Sequence, residues 1–358
     1  MYSPAQKILS KYLVASNNPL SIQLDITNSC NLSCNHCYHS HHRNIGALKA
    51  AGWTDILSQY QDLLCKLDCP PSIILCGGEP LVSSNLQHTL RQVSLRFGSS
   101  VPLSVLTNGT YVPDQVLELF SEFRKVHFQV SFDGPDEARH DEIRGKGSFN
   151  KAICGLRKIV QKRHRVSAQF TLSHRTSKWI NDFFEFGKKE KIPAVNFVRF
   201  VPSGVGLKSK QSGIDRELTS AELKEAYKKI LIGSVVQGVE TNFTSPLFHL
   251  IHPSLGHYGH FGRSLVVDYM GNLKVSSRTD HVIGNIQKNG LANLYLNDPV
   301  LRSLRSGKIW GCENCEDLAV CGGDRNLAYA KYGDFLAPDP GCWKDENRNI
   351  KENYNEAI

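Results

Sequence analysis

From residue 20 to about residue 200 the sequence alternates short β-rich apolar runs with amphipathic stretches. That alternation constrains the fold more than any other feature. Ile22–Ile26, Ile73–Cys76, Leu103–Leu106, Val126–Phe132, Val166–Leu172 and Val195–Val201 read as strands. Stretches near 53–67, 84–97, 113–123, 149–163 and 177–190 read as the helices between them. Regular strand–helix alternation makes parallel βαβ units. Six such units fit an α/β partial (β/α)6 TIM-like barrel, whose working residues belong at the C-terminal ends of the strands.

Beyond the sixth strand the pattern changes. Residues 203–217 are rich in Gly, Ser and Lys and read as a loop. A helix is expected over about 219–232, with Thr219 or Ser220 as N-cap ahead of Glu222. Residues 233–263 carry little pattern. Leu265–Tyr269, the Gly271-Asn272 turn and Leu273–Val275 read as a β-hairpin. The stretch 311–343 is rich in Cys and Gly and poor in periodic apolar signal, so a metal centre is the expected support. The resulting division is an N-terminal segment (1–20), a barrel (21–217), a bridging helical region (218–263) and a small Cys-rich extension (264–358). The first residues lack the apolar core of a signal peptide, and no run of about 18 apolar residues is present. The expectation is a cytoplasmic protein with no membrane partner.

Cysteine usage points to chemistry. Of eleven cysteines, three lie within residues 30–37 and four within 312–342. In a reducing compartment such clusters indicate metal or catalysis rather than disulfides. The 42 basic against 34 acidic residues give a formal +8. Seven ligating thiolates would absorb much of that excess, so no nucleic-acid partner is expected. Cys30, Cys34 and Cys37 form CxxxCxxC directly after the first strand. Three thiolates on one loop can hold three irons of a four-iron four-sulfur cluster and leave the fourth open. Zinc is the competing reading, with a fourth ligand from His36, His39, His41 or His42.

CxxxCxxC after the first strand, followed by Cys76-Gly77-Gly78-Glu79-Pro80 after the second, resembles the radical S-adenosylmethionine (SAM) enzymes. Thr107-Asn108-Gly109, Ser131-Phe132-Asp133-Gly134 and the run His140 to Gly145 with Gly147-Ser148-Phe149 follow in the order of the family's peptide-modifying branch. The resemblance implies that Cys30, Cys34 and Cys37 bind a 4Fe-4S cluster whose open iron takes the SAM amino and carboxylate groups. It implies that Gly77, Gly78 and Glu79 meet the SAM ammonium. Asn108 joins the cofactor-binding set, Ser131 and Asp133 hold the ribose, and Arg144 pairs with the SAM carboxylate. His36 stands where an aromatic residue usually lies near the adenine.

Cys312, Cys315 and Cys321 give CxxCx5C, and Cys342 follows 21 residues later. By itself this set also suits zinc. Behind such a barrel it resembles the SPASM extension, which implies one auxiliary 4Fe-4S cluster on Cys312, Cys315, Cys321 and Cys342. Three further cysteines of the full pattern are missing: Ser276 and Arg325 stand at two of their positions, and His257–Arg263 contains none. An inner auxiliary cluster is therefore not expected. Ser277 stands where sulfatase-maturing relatives carry an Asp base. Cys65, Cys69, Cys76 and Cys154 are given no role.

The implied chemistry is one-electron cleavage of SAM to methionine and a 5′-deoxyadenosyl radical that takes hydrogen from an unactivated carbon. The expected substrate is a ribosomally made precursor peptide, cross-linked through carbon, for example as a cyclophane. The expected electron donor is a flavodoxin or ferredoxin. The Arg199-to-Gly204 run is also seen in such maturases. No separate leader-binding domain precedes Ser21, so leader recognition is expected on the barrel or tail. Alternatives are tetrapyrrole modification, sulfatase maturation and a non-catalytic metal-binding adaptor.

Overall fold

The computed structural model describes residues 19–256, 262–318 and 320–344. The first 18 residues, most of the stretch His257–Arg263 and the end of the Cys-rich extension lie outside the described residues. Six strands run in sequence through roughly the first two hundred residues: β1 (Leu20–Asp25), β2 (Pro71–Cys76), β3 (Leu103–Thr107), β4 (Val126–Phe132), β5 (Arg165–Leu172) and β6 (Ala194–Arg199). Each pairs parallel with the next. Between them lie α1 (Ala50–Leu67), α2 (Leu86–Phe97), α3 (Asp114–Glu118), α4 (Glu137–Arg144), α5 (Ser148–Gln161) and α6 (Ile180–Lys189). The strand–helix order follows the apolar pattern with one addition, α4, a short polar helix that the pattern does not indicate.

Strand faces explain why this sheet surrounds a space. Val126, Phe128, Val130 and Phe132 of β4 are buried, and the residues alternating with them are half-buried. The alternate face supplies Gln23, Gln129, Ser131, Gln169 and Thr171 to the wall of one cavity. Parallel strands covered on both faces are ordinarily apolar throughout. Here the inner face is polar, which suits a cavity that admits a polar guest. The outer face packs under the helices in one contiguous core, with Trp53, Tyr60, Phe170, Phe183 and Phe184 fully buried.

Beyond β6 the structure holds elements that the sequence expectation does not include. Residues 204–211, expected as loop, form α7 (Gly204–Gln211). Glycine and lysine content hid it, because its stability comes from a tertiary contact and not from an apolar stripe. α8 (Ser220–Gln237) begins as expected with a capping box between Thr219 and Glu222. The hairpin also forms: β7 (Ser264–Val267) and β8 (Asn272–Lys274) are antiparallel, and β9 (Val282–Asn285) follows. β7 in turn pairs parallel with β1, so the sheet order is β6-β5-β4-β3-β2-β1-β7-β8-β9. The sheet stays unclosed. Short helices α9 (Ile286–Asn289), α10 (Leu291–Asn297), α11 (Pro299–Arg305) and α12 (Arg325–Tyr332) complete the fold.

Candidate active site

The polar lumen is a cavity of ≈ 460 Å³, and Cys30, Cys34 and Cys37 all line it. Their loop starts at the C-terminal end of β1 and is pinned by its backbone. Asn35 N donates to Ile143 O (3.0 Å), and the Cys37 carbonyl accepts from Gly206 N (2.9 Å). Ser209 Oγ donates to the Asn35 carbonyl. α7 is thus a clamp on the cysteine loop, and Gly204 is what lets it approach. A Cβ there would lie 2.3 Å from the Tyr38 carbonyl oxygen. No motif in the sequence marked this contact.

Gly77 and Gly78 also line the cavity. Their want of side chains is set by the chain itself. Added Cβ atoms would lie 2.2 Å from Thr27 O and 2.3 Å from Ser29 O, and Gly77 has φ +126°. The end of β2 therefore lies flush against the residues that launch the cysteine loop. Gly78→Ala is expected to push that backbone aside, displace Cys30 and lower iron uptake at the first cysteine set. Iron content of anaerobically reconstituted protein checks this, with a drop of about four irons per chain expected.

Glu79 turns away from the cavity. It is 1% exposed, and its carboxylate accepts from Leu81 N (3.1 Å), Thr107 Oγ1 (2.7 Å) and Asn108 N (2.7 Å). Burial pushes its carboxyl up to about 7, against those hydrogen bonds. Asn108 lines the cavity and braces the loop, with Nδ2 2.9 Å from Asn31 Oδ1 and 3.8 Å from Cys30 Sγ. Ser131 lines the cavity from β4.

Asp133 lies behind the wall and not in it. Its carboxylate takes Arg144 Nε (2.5 Å), His36 Nε2 (3.0 Å) and Thr171 N (2.9 Å). Burial opposes ionisation of Asp133, but Arg144 and then His36 outweigh it and hold the carboxyl well below its usual range. The fully buried acid therefore fixes Arg144, which does line the cavity, whereas Asp133, expected at the ribose, is not itself among the lining residues. His36 is likewise engaged by Asp133. His140 packs beneath, its ring kept neutral by burial with a pKa of about 4.

Burial pushes the Cys34 thiol up to about 12 and Cys37 to about 11. Such thiols ionise only when a cation replaces the proton. Among the described residues no three His, Cys, Asp or Glu side chains converge tightly enough to hold a single metal ion. The three thiols stand around a space, an arrangement that a multi-iron cluster, binding each thiolate through its own iron, can use. The site thus fits the cluster that the motif implies.

The second set is gathered too. Cys312, Cys315, Cys321 and Cys342 line one small cavity of ≈ 30 Å³. Turns hold them: Cys315 N donates to Cys312 O (2.9 Å), Cys321 N to Asp317 O (2.8 Å) and Cys342 N to Asp339 O (3.0 Å). Burial raises Cys321 to about 11. Asp339 links this set to the barrel, because its carboxylate grips the guanidinium of Arg199, the last residue of β6, at 2.6 and 2.9 Å. Sequence reading missed this pair, which is 140 residues apart. Of the remaining cysteines, Cys76 is buried and Cys65 and Cys154 are exposed.

An unclosed parallel α/β sheet with three thiols at the end of its first strand defines a class, and comparison agrees. Residues 24–186, a little under half of the chain, match the model of the Radical SAM superfamily and form a radical SAM domain. It is 26% identical to the AdoMet-dependent heme synthase of Methanosarcina barkeri, over 92% of this chain and 98% of that one. It is 24% identical to the mycofactocin maturase MftC of Mycobacterium tuberculosis, over 96% and 87%. Among solved structures, native anSMEcpe with bound AdoMet superposes with TM-score 0.70 at 16% identity, covering 90% of this chain and 94% of that one. Streptococcus suis SuiB bound to precursor peptide SuiA gives 0.68 at 15% identity, covering 94% and 77%. These structures share the fold.

Proposed function

We propose that the chain is a maturase that modifies a ribosomally made precursor peptide and joins side chains through carbon, as in a cyclophane. The observation that carries the radical chemistry is a three-thiol loop opening onto a polar cavity of ≈ 460 Å³. When bound, a 4Fe-4S cluster with SAM supplies the 5′-deoxyadenosyl radical that removes hydrogen from the substrate. The chain's own residues do the rest. Cys30, Cys34 and Cys37 hold three irons. Gly77, Gly78, Asn108 and Ser131 shape the cofactor side of the cavity, Arg144 meets the SAM carboxylate, and Glu79 and Asp133 keep these groups in place. The enclosing strands limit water and stray reductants. Cys312, Cys315, Cys321 and Cys342 hold one auxiliary 4Fe-4S cluster with no iron left open. A flavodoxin or ferredoxin supplies electrons.

The peptide reading is supported by relatives named as maturases: MftC, and SkfB of Bacillus subtilis at 28% identity over 47% of this chain. A tetrapyrrole substrate is the second reading, because relatives named heme synthase, Fe-coproporphyrin III synthase and pre-heme d1 synthase match about nine-tenths of the chain. One anaerobic experiment decides. Reconstituted protein, SAM and dithionite are incubated with peptides encoded by short reading frames beside the gene, and separately with Fe-coproporphyrin III. The maturase reading expects hydrogen loss from a peptide by mass spectrometry, coupled to 5′-deoxyadenosine. Turnover of the tetrapyrrole alone overturns it.

A further inference from the structure

The described lining of the central cavity contains no Asp or Glu, but it contains four arginines: Arg144, Arg199, Arg278 and Arg325. Two are neutralised from outside the cavity, Arg144 by Asp133 and Arg199 by Asp339. Among the described residues the other two make no direct ion pair, although Asp339 and Asp324 lie near enough to Arg325 to act on its charge. Arg278, half-buried on the segment after β8, makes one long hydrogen bond, Nη1 to the Arg199 carbonyl at 3.5 Å. Arg325, 7% exposed at the start of α12, donates Nε to Gly323 O and Nη1 to Phe335 O and Ala337 O. Its Nη2 is buried with no partner. Carbonyl dipoles satisfy hydrogen bonds but do not cancel charge. Arginine also stays protonated under burial.

The cavity that holds the three thiols therefore has one wall on which Arg278 pairs with no carboxylate among the described residues and Arg325, offset only at longer range by Asp339 and Asp324, keeps Nη2 without a hydrogen-bond partner. The hydroxyls of Ser276 and Ser277 and the amide of Asn326 line the cavity beside them. Positive charge without a direct partner at a partly dehydrated surface favours an anionic guest. A guanidinium prefers a planar carboxylate, which it can meet with two parallel hydrogen bonds. We propose that this wall is a substrate subsite for a carboxylate, with Arg278 as the contacting residue and Arg325 as the charge behind it. The inference rests on the reading that the substrate occupies this cavity, and it adds that the substrate is an acid. The carboxylate comes from an acidic side chain of a peptide or from a propionate of a tetrapyrrole, and the chemistry of recognition is the same.

The test uses full-length, anaerobically reconstituted protein saturated with SAM, and two pairs of probes. One pair is acetyl-Phe-Glu-Phe amide and its Gln counterpart. The other is coproporphyrin III and its tetramethyl ester. At least one acid is expected to bind about tenfold or more tightly than its neutral partner. The pair that shows the preference identifies the source of the carboxylate. Arg278→Gln, which removes a single long hydrogen bond and leaves the core untouched, is expected to reduce the preference to about twofold or less, and Arg278→Lys to retain part of it. Equal binding of acid and neutral probes to the wild type, or a preference unchanged in Arg278→Gln, overturns the subsite. Release of 5′-deoxyadenosine by the wild type is read in the same preparations. Its absence beside an intact acid preference defeats the proposed function and leaves the subsite. Its presence without an acid preference defeats the subsite alone.

Discussion

Cys34→Ala under strictly oxygen-free conditions is expected to lower 5′-deoxyadenosine formation by well over a hundredfold, because even residues that merely orient a metal ligand cost 10–100-fold. On the proposed reading of one cluster at each cysteine set, iron content should fall from about eight to about four per chain. The result is interpretable because the loop does not rely on the thiol for its shape. Asn35 on one side is tied to Ile143 O and to Ser209, and Cys37 on the other to Gly206 N. Alanine removes a ligand and leaves the frame. Undiminished SAM cleavage by this variant would remove the three-thiol loop from the mechanism. Loss of all iron would instead mean that the two cysteine sets assemble as one unit.

Asp339→Ala is expected to destabilise the protein by about 3–5 kcal/mol, the usual cost of leaving half of a buried ion pair behind. Arg199 and Asp339 side chains are 6% and 1% exposed, so solvent cannot take over the lost partner. The same carboxylate also accepts from Asp324 N and Gly341 N, close to Cys321 and Cys342. Denaturant melts should therefore show early loss of the Cys-rich segment, with slower iron uptake there than at the first set. Asp339→Asn keeps the shape but not the charge, so it should fall between wild type and Ala. A melt of Asp339→Ala within about 1 kcal/mol of the wild type would show that Arg199 finds another partner.

Much of this architecture is legible in the sequence because its signals are local. Six apolar runs separated by amphipathic stretches dictate the six parallel strands, and CxxxCxxC next to β1 places the thiols at a strand end. The Thr219–Glu222 capping box and the Gly271-Asn272 turn are short-range features as well. What escaped reading depends on distant partners. α7 forms from a Gly- and Lys-rich segment because it lies on the cysteine loop, with Gly206 N bonded to Cys37 O. Arg199 and Asp339 carry no motif. Asp133 reads as a cofactor contact, yet it is taken by Arg144, His36 and Thr171, because a carboxylate beneath a buried guanidinium is more strongly held there than by a hydroxyl. Arg325 reads only as a missing cysteine. Its place in the cavity wall emerges only from the folded chain.

The attachment of β7 to β1 bears on how this protein can be dissected. A truncation ending near residue 217 would keep all six barrel strands, yet it would strip β1 of its neighbour from Ser21 to Leu24. A bared edge strand, with its row of unpaired backbone N–H and C=O groups, invites pairing with another molecule. The shortened chain should accordingly precipitate or self-associate, and the cysteine tail is better regarded as the selvedge of the barrel than as a cartridge to be exchanged.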